Sequence, residues 1–343
     1  MKRNHPAPQP TLKDIAKSTG LTEATVSRIL SGKAQFAEET RKRVQKAAER
    51  LGYRPNRLVR GIQTGRTGIV GAILPIHAEW GARLLTGLQH ALAAKDYVPI
   101  VLDCPSPELD EIAMIHHLVD RRVEGIVLFP RDDEISDDYF VEVHSRKIPL
   151  VVVNRKPAFA HCHFVGLDDR ESGRLAAEHL LGLGHRVLGH LAGPPTMSTG
   201  RDRAEGFSRE AMGSAGVSVA QAVMPTFLPD DALIERFLDS NPSVTAIFCA
   251  NEAIALGLYA VAKRRGLSIP DRLSVVSHGN WRAAGLVAPA LTSIVENSEQ
   301  VGQEAAEIVI HLANQRAAPR NLIEKRIPMR LVTRESTGPL ADK

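Results

Sequence analysis

The stretch from Leu12 to Leu30 restricts the fold of this chain most, because it carries the signals of two short helices around one glycine. Thr11 and Asp14 have the spacing of a capping box, and Thr22 can cap the second helix. Gly20 supplies the turn, where positive φ has no steric cost. Apolar residues that can pack across this turn are Ile15, Ala16, Leu21, Val26, Ile29 and Leu30. The pattern predicts a helix-turn-helix, a motif that contacts DNA.

A third helix is predicted from Glu38 to Leu51, with Val44, Ala47, Ala48 and Leu51 on the stripe that faces the first two. On this pattern alone, any small three-helix bundle remains an alternative. Charge separates the two interpretations: residues 1–66 hold 15 Lys and Arg against 5 Asp and Glu, whereas the rest of the chain holds 28 against 34. A basic head collects phosphates by counterion release, and an acidic body is kept off the DNA.

The basic segment after the third helix has two interpretations. By composition, Tyr53 to Thr67 is an ordinary linker. Its order instead favours a short helix that Asn56 caps, with Val59 and Ile62 on one face. Arg57 and Arg60 flank that face.

Three segments resemble the lactose-repressor (LacI) family of bacterial transcription regulators: T-L-K-D-I-A, Y-R-P-N and G-I-V-G-A-I-L-P. The resemblance extends over nearly the whole chain. It implies hinge helices that pair on DNA, with Ile62 as a wedge in the minor groove. Val59 and Gly61 depart from the family, and glycine weakens a helix by about 1 kcal/mol relative to alanine. A hinge ordered only on DNA is therefore expected. Ala37, where the family has a Ser cap, should fray the third helix.

DNA contacts are predicted at both the head and the hinge. Glu23, Ala24 and Arg28 should set sequence preference at base edges, whereas Arg57, Arg60 and Tyr53 should mainly hold phosphate. The complete predicted set is Thr22, Glu23, Ala24, Thr25, Ser27, Arg28, Thr40, Tyr53, Asn56, Arg57, Val59, Arg60 and Ile62.

Composition and motifs exclude several classes of protein. The polar, proline-rich start is not a signal peptide, and no apolar run reaches the length of a membrane helix, so a cytoplasmic protein is expected. Cys104, Cys162 and Cys249 are odd in number and widely separated, which suits a reducing compartment. Dinucleotide, Walker, nucleophile-elbow and zinc-protease motifs are absent, so neither an enzyme nor a cofactor is expected. The His161-Cys162-His163 run is interpreted as a strand rather than as a metal site.

Beyond residue 67, short aliphatic runs alternate with helical stretches, which predicts parallel α/β layers. With the resemblance, this implies the α/β class: a three-helix helix-turn-helix head, a hinge helix, and a two-lobed, periplasmic-binding-protein-like body of doubly wound parallel sheets. The expected strands are 69–74, 98–102, 125–129, 149–153, 164–167, 187–191, 246–249 and 273–277, and the expected helices include 83–95, 170–183, 201–213, 252–265 and 298–315. The predicted domains are a disordered basic tail (1–10), the helix-turn-helix domain (11–55), the hinge and linker (56–67) and an effector-binding, dimerising body (68–340), whose N-lobe is about 68–165 and 296–325 and whose C-lobe is about 166–291 and 326–340.

The effector should bind in the cleft between the lobes, at the carboxyl ends of the strands. The resemblance places these candidate residues there: Trp80, Arg83, Asn154, Arg203, Asn251, His278, Asn280 and Trp281. Where the family tends to carry acids, this chain has Arg83, Asn154 and Gly279. A cationic site with no opposing carboxylate would need an anionic ligand, and the His-Gly-Asn run resembles gluconate-type repressors.

The sequence therefore predicts a ligand-controlled transcription regulator, most simply a repressor on a near-palindromic operator. A homodimer is expected, with a tetramer as the alternative. The predicted effector is a small anionic metabolite, a sugar acid such as gluconate or ketogluconate, or else a sugar phosphate. The alternatives are a neutral sugar or nucleoside, or a partner protein that acts through a vestigial cleft.

Overall fold

A computed structural model describes residues 10–31, 35–54, 66–104, 110–130, 143–157, 162–279, 282–315 and 321–340. The chain divides into two compact units, Met1–Thr67 and Gly68–Lys343. The predicted basic tail, apart from Pro10, and the whole predicted hinge helix lie outside the described residues. The hinge candidates Asn56, Arg57, Val59, Arg60 and Ile62 therefore stay predictions.

The first unit contains three helices within its described residues: α1 (Leu12–Thr19), α2 (Glu23–Leu30) and α3 (Glu38–Leu51). The backbone N–H of Thr11 donates to Asp14 Oδ2 at 2.8 Å, and the Thr11 hydroxyl donates to the same oxygen at 2.7 Å. Gly20 ends α1 at φ 69°. Thr22 Oγ1 accepts from the backbone N–H of Thr25 at 3.2 Å. The predicted caps and turn are thus confirmed.

The core of this unit forms where the three helices meet. Ile15, Val26 and Val44 are fully buried, one from each helix. On the α3 stripe Ala47 and Ala48 are also buried, and Leu51 is partly buried against them. Periodicity therefore predicted the buried faces correctly.

The second unit continues the element order as an α/β body. Its elements are β1 (Ile69–Leu74), α4 (Glu79–Ala93), β2 (Val98–Asp103), α5 (Glu111–Asp120), β3 (Ile126–Leu128), β4 (Leu150–Val153), β5 (His163–Leu167), α6 (Asp169–Gly182), β6 (Val187–Ala192), α7 (Ser198–Met212), β7 (Ser218–Val223), α8 (Asp231–Ser240), β8 (Ala246–Cys249), α9 (Glu252–Arg264), β9 (Ser274–His278), a 3₁₀ turn (Arg282–Gly285), β10 (Thr292–Val295), α10 (Ser298–Ala313), β11 (Glu324–Ile327) and β12 (Arg330–Val332).

These strands form two six-stranded sheets, each the centre of one lobe. The N-lobe sheet has the order β11-β5-β4-β3-β1-β2, and the C-lobe sheet has the order β12-β10-β9-β8-β6-β7. All pairings are parallel except that of β12 with β10. The chain passes between the sheets after β5, after β10 and after β11. The predicted fold class, with helices before two parallel-sheet lobes, is confirmed.

Several boundaries differ from the predictions. Helices α4 and α7 begin before their predicted starts, Arg83 and Arg201. The N-cap residues, Ala78 and Met197, make no side-chain capping bond, so the sequence carried no start signal. Strands β7, β10, β11 and β12 fall outside the predicted set. Three of them lie at sheet edges, where polar residues replace the aliphatic runs of central strands.

The helices of the N-lobe meet at backbone distance. A Cβ placed on Gly87 of α4 would collide with the Glu299 carbonyl of α10, and one on Gly302 would collide with the Leu84 carbonyl. Only glycine fits both positions, so the two helices cross in direct backbone contact. Arg83 Nε lies 3.7 Å from Glu299 Oε1 beside this crossing.

The C-lobe repeats that arrangement with α6 and α7. A Cβ on Gly173 would collide with the Arg203 carbonyl, and one on Gly206 would collide with the Arg170 carbonyl. An ion pair lies beside this crossing as well, with Arg170 3.6 Å from Asp202 Oδ1. Both crossings hold the amino-terminal ends of their helices beside the carboxyl ends of the strands.

His190 of β6 lies in the core of the C-lobe, stacked on Phe248 at 5.0 Å and tilted against Phe207 at 5.2 Å. Within the described part of the chain, neither ring nitrogen has a hydrogen-bond partner. Burial, with a smaller contribution from Arg203, lowers the pKa of His190 to about 3. The imidazole is therefore neutral in the native state.

Other features noted in the sequence are structural. His116 and His117 are exposed on α5. Cys162 is buried, and His163 Nδ1 accepts from the Ile323 backbone N–H at 3.1 Å; His161 lies outside the described residues. In the described ranges, no His, Cys, Asp and Glu cluster is placed to hold a metal ion. Nor does any helix there combine the length and apolar character needed to cross a membrane.

Candidate functional site

The outer face of α2 is the candidate DNA surface of the first unit. Glu23, Ala24, Ser27 and Arg28 are exposed, on the opposite side from buried Val26. Because this face includes the amino-terminal turn of the helix, it presents free backbone N–H groups as well as side chains. Such a surface can hold phosphate and contact base edges.

The remaining head candidates border this face. Thr22 is exposed, and its hydroxyl lies 2.9 Å from that of half-buried Thr25, so both support the helix start. Thr40, on the first turn of α3, is half-buried. Tyr53 is half-buried too, and burial raises the pKa of its phenol.

The second unit holds a cavity between its lobes, at the carboxyl ends of the strands. Its volume is about 110 Å³. The lining residues are Trp80, Asn154, Arg155, Thr199, Arg203, Phe227, Asn251, Glu252, His278, Gly279 and Glu296. They come from both lobes, as expected for a cleft at the switch points of two doubly wound sheets.

Five of the predicted effector residues line this cavity: Trp80, Asn154, Arg203, Asn251 and His278. Asn280 and Trp281 lie outside the described residues. Arg83 is not among the residues that line the cavity. Because α4 begins at Glu79, its second turn faces α10, and Arg83 pairs with Glu299 there instead of lining the cavity.

Arg203 is held by a carboxylate. Its Nε donates to Asp169 Oδ1 at 2.7 Å and its Nη1 to the Ala250 carbonyl at 2.7 Å, with Arg203 and Asp169 only 5% and 2% exposed. The premise that the cleft has no opposing carboxylate is therefore wrong. Sequence reasoning missed Asp169 because nothing in its own stretch shows that α6 packs on α7.

His278 joins the cavity to two other segments. Its Nδ1 lies 2.9 Å from Ser172 Oγ, and its Nε2 lies 3.3 Å from Glu296 Oε2. Burial, with the nearby Arg203 charge, lowers the pKa of His278. A neutral ring then donates from Nε2 to Glu296 and accepts the Ser172 proton at Nδ1.

Glu296 is the ionised partner in that pair. Burial alone would raise the pKa of its carboxyl group, but hydrogen bonds from His278 and Ser298, with the Arg203 charge, hold the pKa below its ordinary value. Ser298 Oγ donates to Glu296 Oε1 at 3.0 Å. Since Glu296 follows β10 and Ser298 begins α10, this carboxylate lies where the chain passes between lobes.

Glu252 is a second cavity carboxylate that the sequence did not single out. It begins α9 and is 1% exposed. Gly279 opposes it at φ 134°, a conformation that L residues rarely adopt, and a Cβ on Gly279 would lie 2.6 Å from Glu252 Oε2. The Glu252 carboxylate therefore fills the space left open where the family tends to carry an acid. Two features of the sequence could have indicated this carboxylate: glycine at position 279, where the family tends to carry an acid, and glutamate at position 252.

Aromatic rings complete the walls. Trp80 packs on Phe129 with ring centroids 4.8 Å apart. The Arg155 guanidinium lies 4.6 Å from the Phe129 ring centroid and 5.8 Å from that of Phe227. Asn251 also has a structural role, because its Oδ1 accepts a hydrogen bond from the Ile254 backbone N–H and its Nδ2 donates one to the Phe227 carbonyl.

Two family models match the chain. Residues 11–56 match "Bacterial regulatory proteins, lacI family", and residues 177–337 match "Periplasmic binding protein-like domain". Among curated relatives, catabolite control protein A of Priestia megaterium is 26% identical over 333 residues, which cover 95% of this chain and 99% of that protein.

Solved structures give the same likeness. The transcriptional regulator CelR–cellobiose complex aligns with a TM-score of 0.70 at 26% identity, over 95% of this chain and 99% of the other. The lac repressor dimer bound to operator and the anti-inducer ONPF aligns with a TM-score of 0.82 at 22% identity, over 97% and 100%, a likeness of fold.

Proposed function

We propose that this chain, a member of the lacI family of DNA-binding transcription regulators, represses transcription. A small hydroxyl-rich molecule in the interlobe cavity sets its affinity for DNA. Small-molecule control is a property of the family, whose members are not enzymes. The proposal depends on one observation: the same chain contains a basic helix-turn-helix and a two-lobed body with a cavity between its lobes.

The cavity supports a sugar or nucleoside as the effector class. Glu252, Glu296 and Asn154 offer hydrogen-bond acceptors, and Arg203 offers donors in a fixed position. Trp80 and Phe227 add ring faces that pack on apolar C–H surfaces. The structure of a relative holds cellobiose, which is consistent with this class.

A sugar acid or sugar phosphate is not proposed. That expectation depended on an uncompensated cationic cleft, whereas Asp169 neutralises Arg203 and two further carboxylates line the cavity. An anionic ligand would have to approach Glu252 and Glu296 at short range in a poorly solvated site. Like charges repel strongly under those conditions.

We propose a homodimer on a near-palindromic operator. One head contacts one half-site, so a two-fold protein matches a two-fold DNA sequence. Sedimentation of the full-length protein, alone and on operator, measures the stoichiometry and distinguishes the dimer from the tetramer.

The test begins with selection of duplexes from a random pool by the full-length protein. A near-palindromic site should be enriched, with affinity that falls steeply as salt rises. Fluorescence anisotropy on this site, with sugars and nucleosides added one at a time, should then find a ligand that changes operator affinity at least tenfold. Failure to enrich any sequence would contradict the DNA-binding proposal, and an operator affinity that responds only to a protein partner would contradict the effector proposal.

A further inference from the structure

The chain enters the second unit at Gly68, the residue before β1. Both polar groups of the Gly68 backbone are held there. Its N–H donates to Glu124 Oε1 at 2.7 Å, and its carbonyl accepts from the Val98 N–H at 2.8 Å. The paired register of β1 and β2 begins one residue later, at Ile69. The Glu124 side chain therefore extends the hold of the sheet to the first residue of the body.

Glu124 is itself fixed by its neighbours. Its backbone N–H donates to the Ile69 carbonyl at 2.8 Å, and its second carboxyl oxygen, Oε2, accepts from the Tyr97 hydroxyl at 3.0 Å. Both side chains are half-buried. Each carboxyl oxygen thus accepts from a different donor, so the group has a defined orientation. We name Gly68, Tyr97 and Glu124 the Gly68 clamp.

The residue that the clamp holds is also the place where the backbone bends. Gly68 has φ 69°, in the left-handed region that favours glycine. A Cβ at this position would lie 3.4 Å from the Asp96 carbonyl oxygen. The bend and the two hydrogen bonds act on the same residue, so the chain leaves the body from a fixed point and with a fixed backbone conformation.

The segment that joins α3 to the body therefore ends at a residue that is already ordered. Because operator binding by a dimer is proposed above, we infer that Glu124 is a positioning residue for this binding: by holding Gly68, it orders one end of the joining segment before the DNA arrives. Ordering the backbone of a single residue at the moment of binding costs roughly tenfold in affinity. A dimer without the clamp would incur that cost in both of its chains.

The test measures fluorescence anisotropy with full-length variants on the selected operator and on a random duplex. Glu124→Ala removes the acceptor and should lower operator affinity at least tenfold, with a much smaller change on random DNA. Glu124→Gln keeps an acceptor oxygen for the Gly68 N–H and should restore most of the lost affinity. Asp120→Ala, at an exposed acid that ends α5, is the matched control.

The direction of the change separates the clamp from general electrostatics. Loss of an acidic residue makes the body less repulsive to DNA, so Asp120→Ala should leave operator affinity unchanged or raise it slightly. Glu124→Ala removes the same formal charge and should nevertheless weaken binding. Unchanged operator affinity in Glu124→Ala overturns the inference. Equal losses on operator and random DNA overturn it as well, and so does a Glu124→Gln protein that binds no better than Glu124→Ala.

Trypsin cleavage tests the clamp without DNA. Arg66 lies two residues before Gly68, so the protease must draw Gly68 out of the clamp to cut after Arg66. Mass spectrometry should show this cleavage at least fivefold faster in Glu124→Ala than in the unsubstituted protein, with no change in Asp120→Ala. An equal rate in Glu124→Ala would mean that Glu124 does not hold Gly68.

Urea unfolding separates positioning from stability. If Glu124→Ala lowers the free energy of unfolding while the folded protein keeps its operator affinity, Glu124 is only structural and the inference is overturned. If this variant does not fold, Tyr97→Phe replaces it, because it removes the hydroxyl that orients the carboxyl group. Tyr97→Phe should lower operator affinity about threefold and speed cleavage after Arg66, and unchanged values of both overturn the inference.

The unsubstituted protein separates this result from the proposed function. If it binds a selected operator and responds to a sugar or nucleoside, failure of the Glu124 variants contradicts the positioning role alone. If it enriches no operator, the DNA-binding proposal and the positioning role are both contradicted.

Discussion

Replacing His190 by leucine should make the body of the protein more stable, and the gain should grow as the pH falls. The imidazole lies between Phe207 and Phe248 in the C-lobe core and has no hydrogen-bond partner among the described residues. Leaving buried polar groups unsatisfied costs about 1–3 kcal/mol. His190→Leu, which is similar in volume, should recover a part of that cost at pH 7.

The pH dependence follows from the pKa of His190, which burial lowers from 6.5 to about 3. Between these values the unfolded chain binds a proton that the native state does not, so stability falls as the pH falls. Linkage gives a loss of about 2 kcal/mol at pH 5 and about 5 kcal/mol once the pH is below both values. His163, His179, His185 and His278 also have lowered pKa values, but they are unchanged in the variant and cancel in the difference.

Urea unfolding followed by tryptophan fluorescence measures this pH-dependent difference in stability in the second unit, which contains His190. The chain has two tryptophans, Trp80 and Trp281, and both lie in the body. The gap in unfolding free energy between His190→Leu and the unsubstituted protein should widen by about 2 kcal/mol from pH 7 to pH 5. His116→Leu, at an exposed histidine on α5, is the control. A gap that stays constant with pH would refute the burial of a neutral His190.

Three other substitutions test the DNA surface, the hinge and the cavity. Arg28→Ala should lower affinity for the operator by about 1–3 kcal/mol and affinity for random DNA much less; equal losses in anisotropy titrations would contradict a role in base recognition. Ile62→Ala should leave the body folded but reduce operator affinity and DNA bending, and unchanged bending in a phased-mobility assay would exclude the wedge. Arg203→Ala should destabilise the body by about 3–5 kcal/mol in urea, because it leaves the Asp169 charge buried and unpaired. A loss below about 1 kcal/mol would mean that water reaches Asp169.

Local signals made the head predictable from the sequence. Thr11, Gly20 and Thr22 act on residues within one turn of themselves, so capping and turn chemistry could be read directly. The aliphatic central strands were predictable for a similar reason, since burial on both faces requires an apolar run.

Contacts between distant segments were not predictable in this way. Arg83 was assigned to the cleft by the resemblance, whereas in the structure it lies beside α10, with its Nε 3.7 Å from Glu299 Oε1. The Asp169 partner of Arg203 and the carboxylate over Gly279 arise from helices that pack across the lobe. No single stretch of sequence contains either pair, so five of the cavity residues were predicted while the carboxylates beside them were missed.

The two glycine crossings make each lobe a copy of the same module. Helices α4 and α7 have equal length, and each contributes one glycine to its crossing. Each also carries one member of the ion pair beside the crossing, but α4 carries the cation, Arg83, whereas α7 carries the anion, Asp202. In register, Trp80 corresponds to Thr199, and Leu84 corresponds to Arg203. If the two lobes were identical, they would present the same surface to both ends of a ligand in the cavity. The orientation of the bound molecule therefore depends on the positions at which the two copies have diverged, and a change of effector can evolve there while the shared scaffold stays intact.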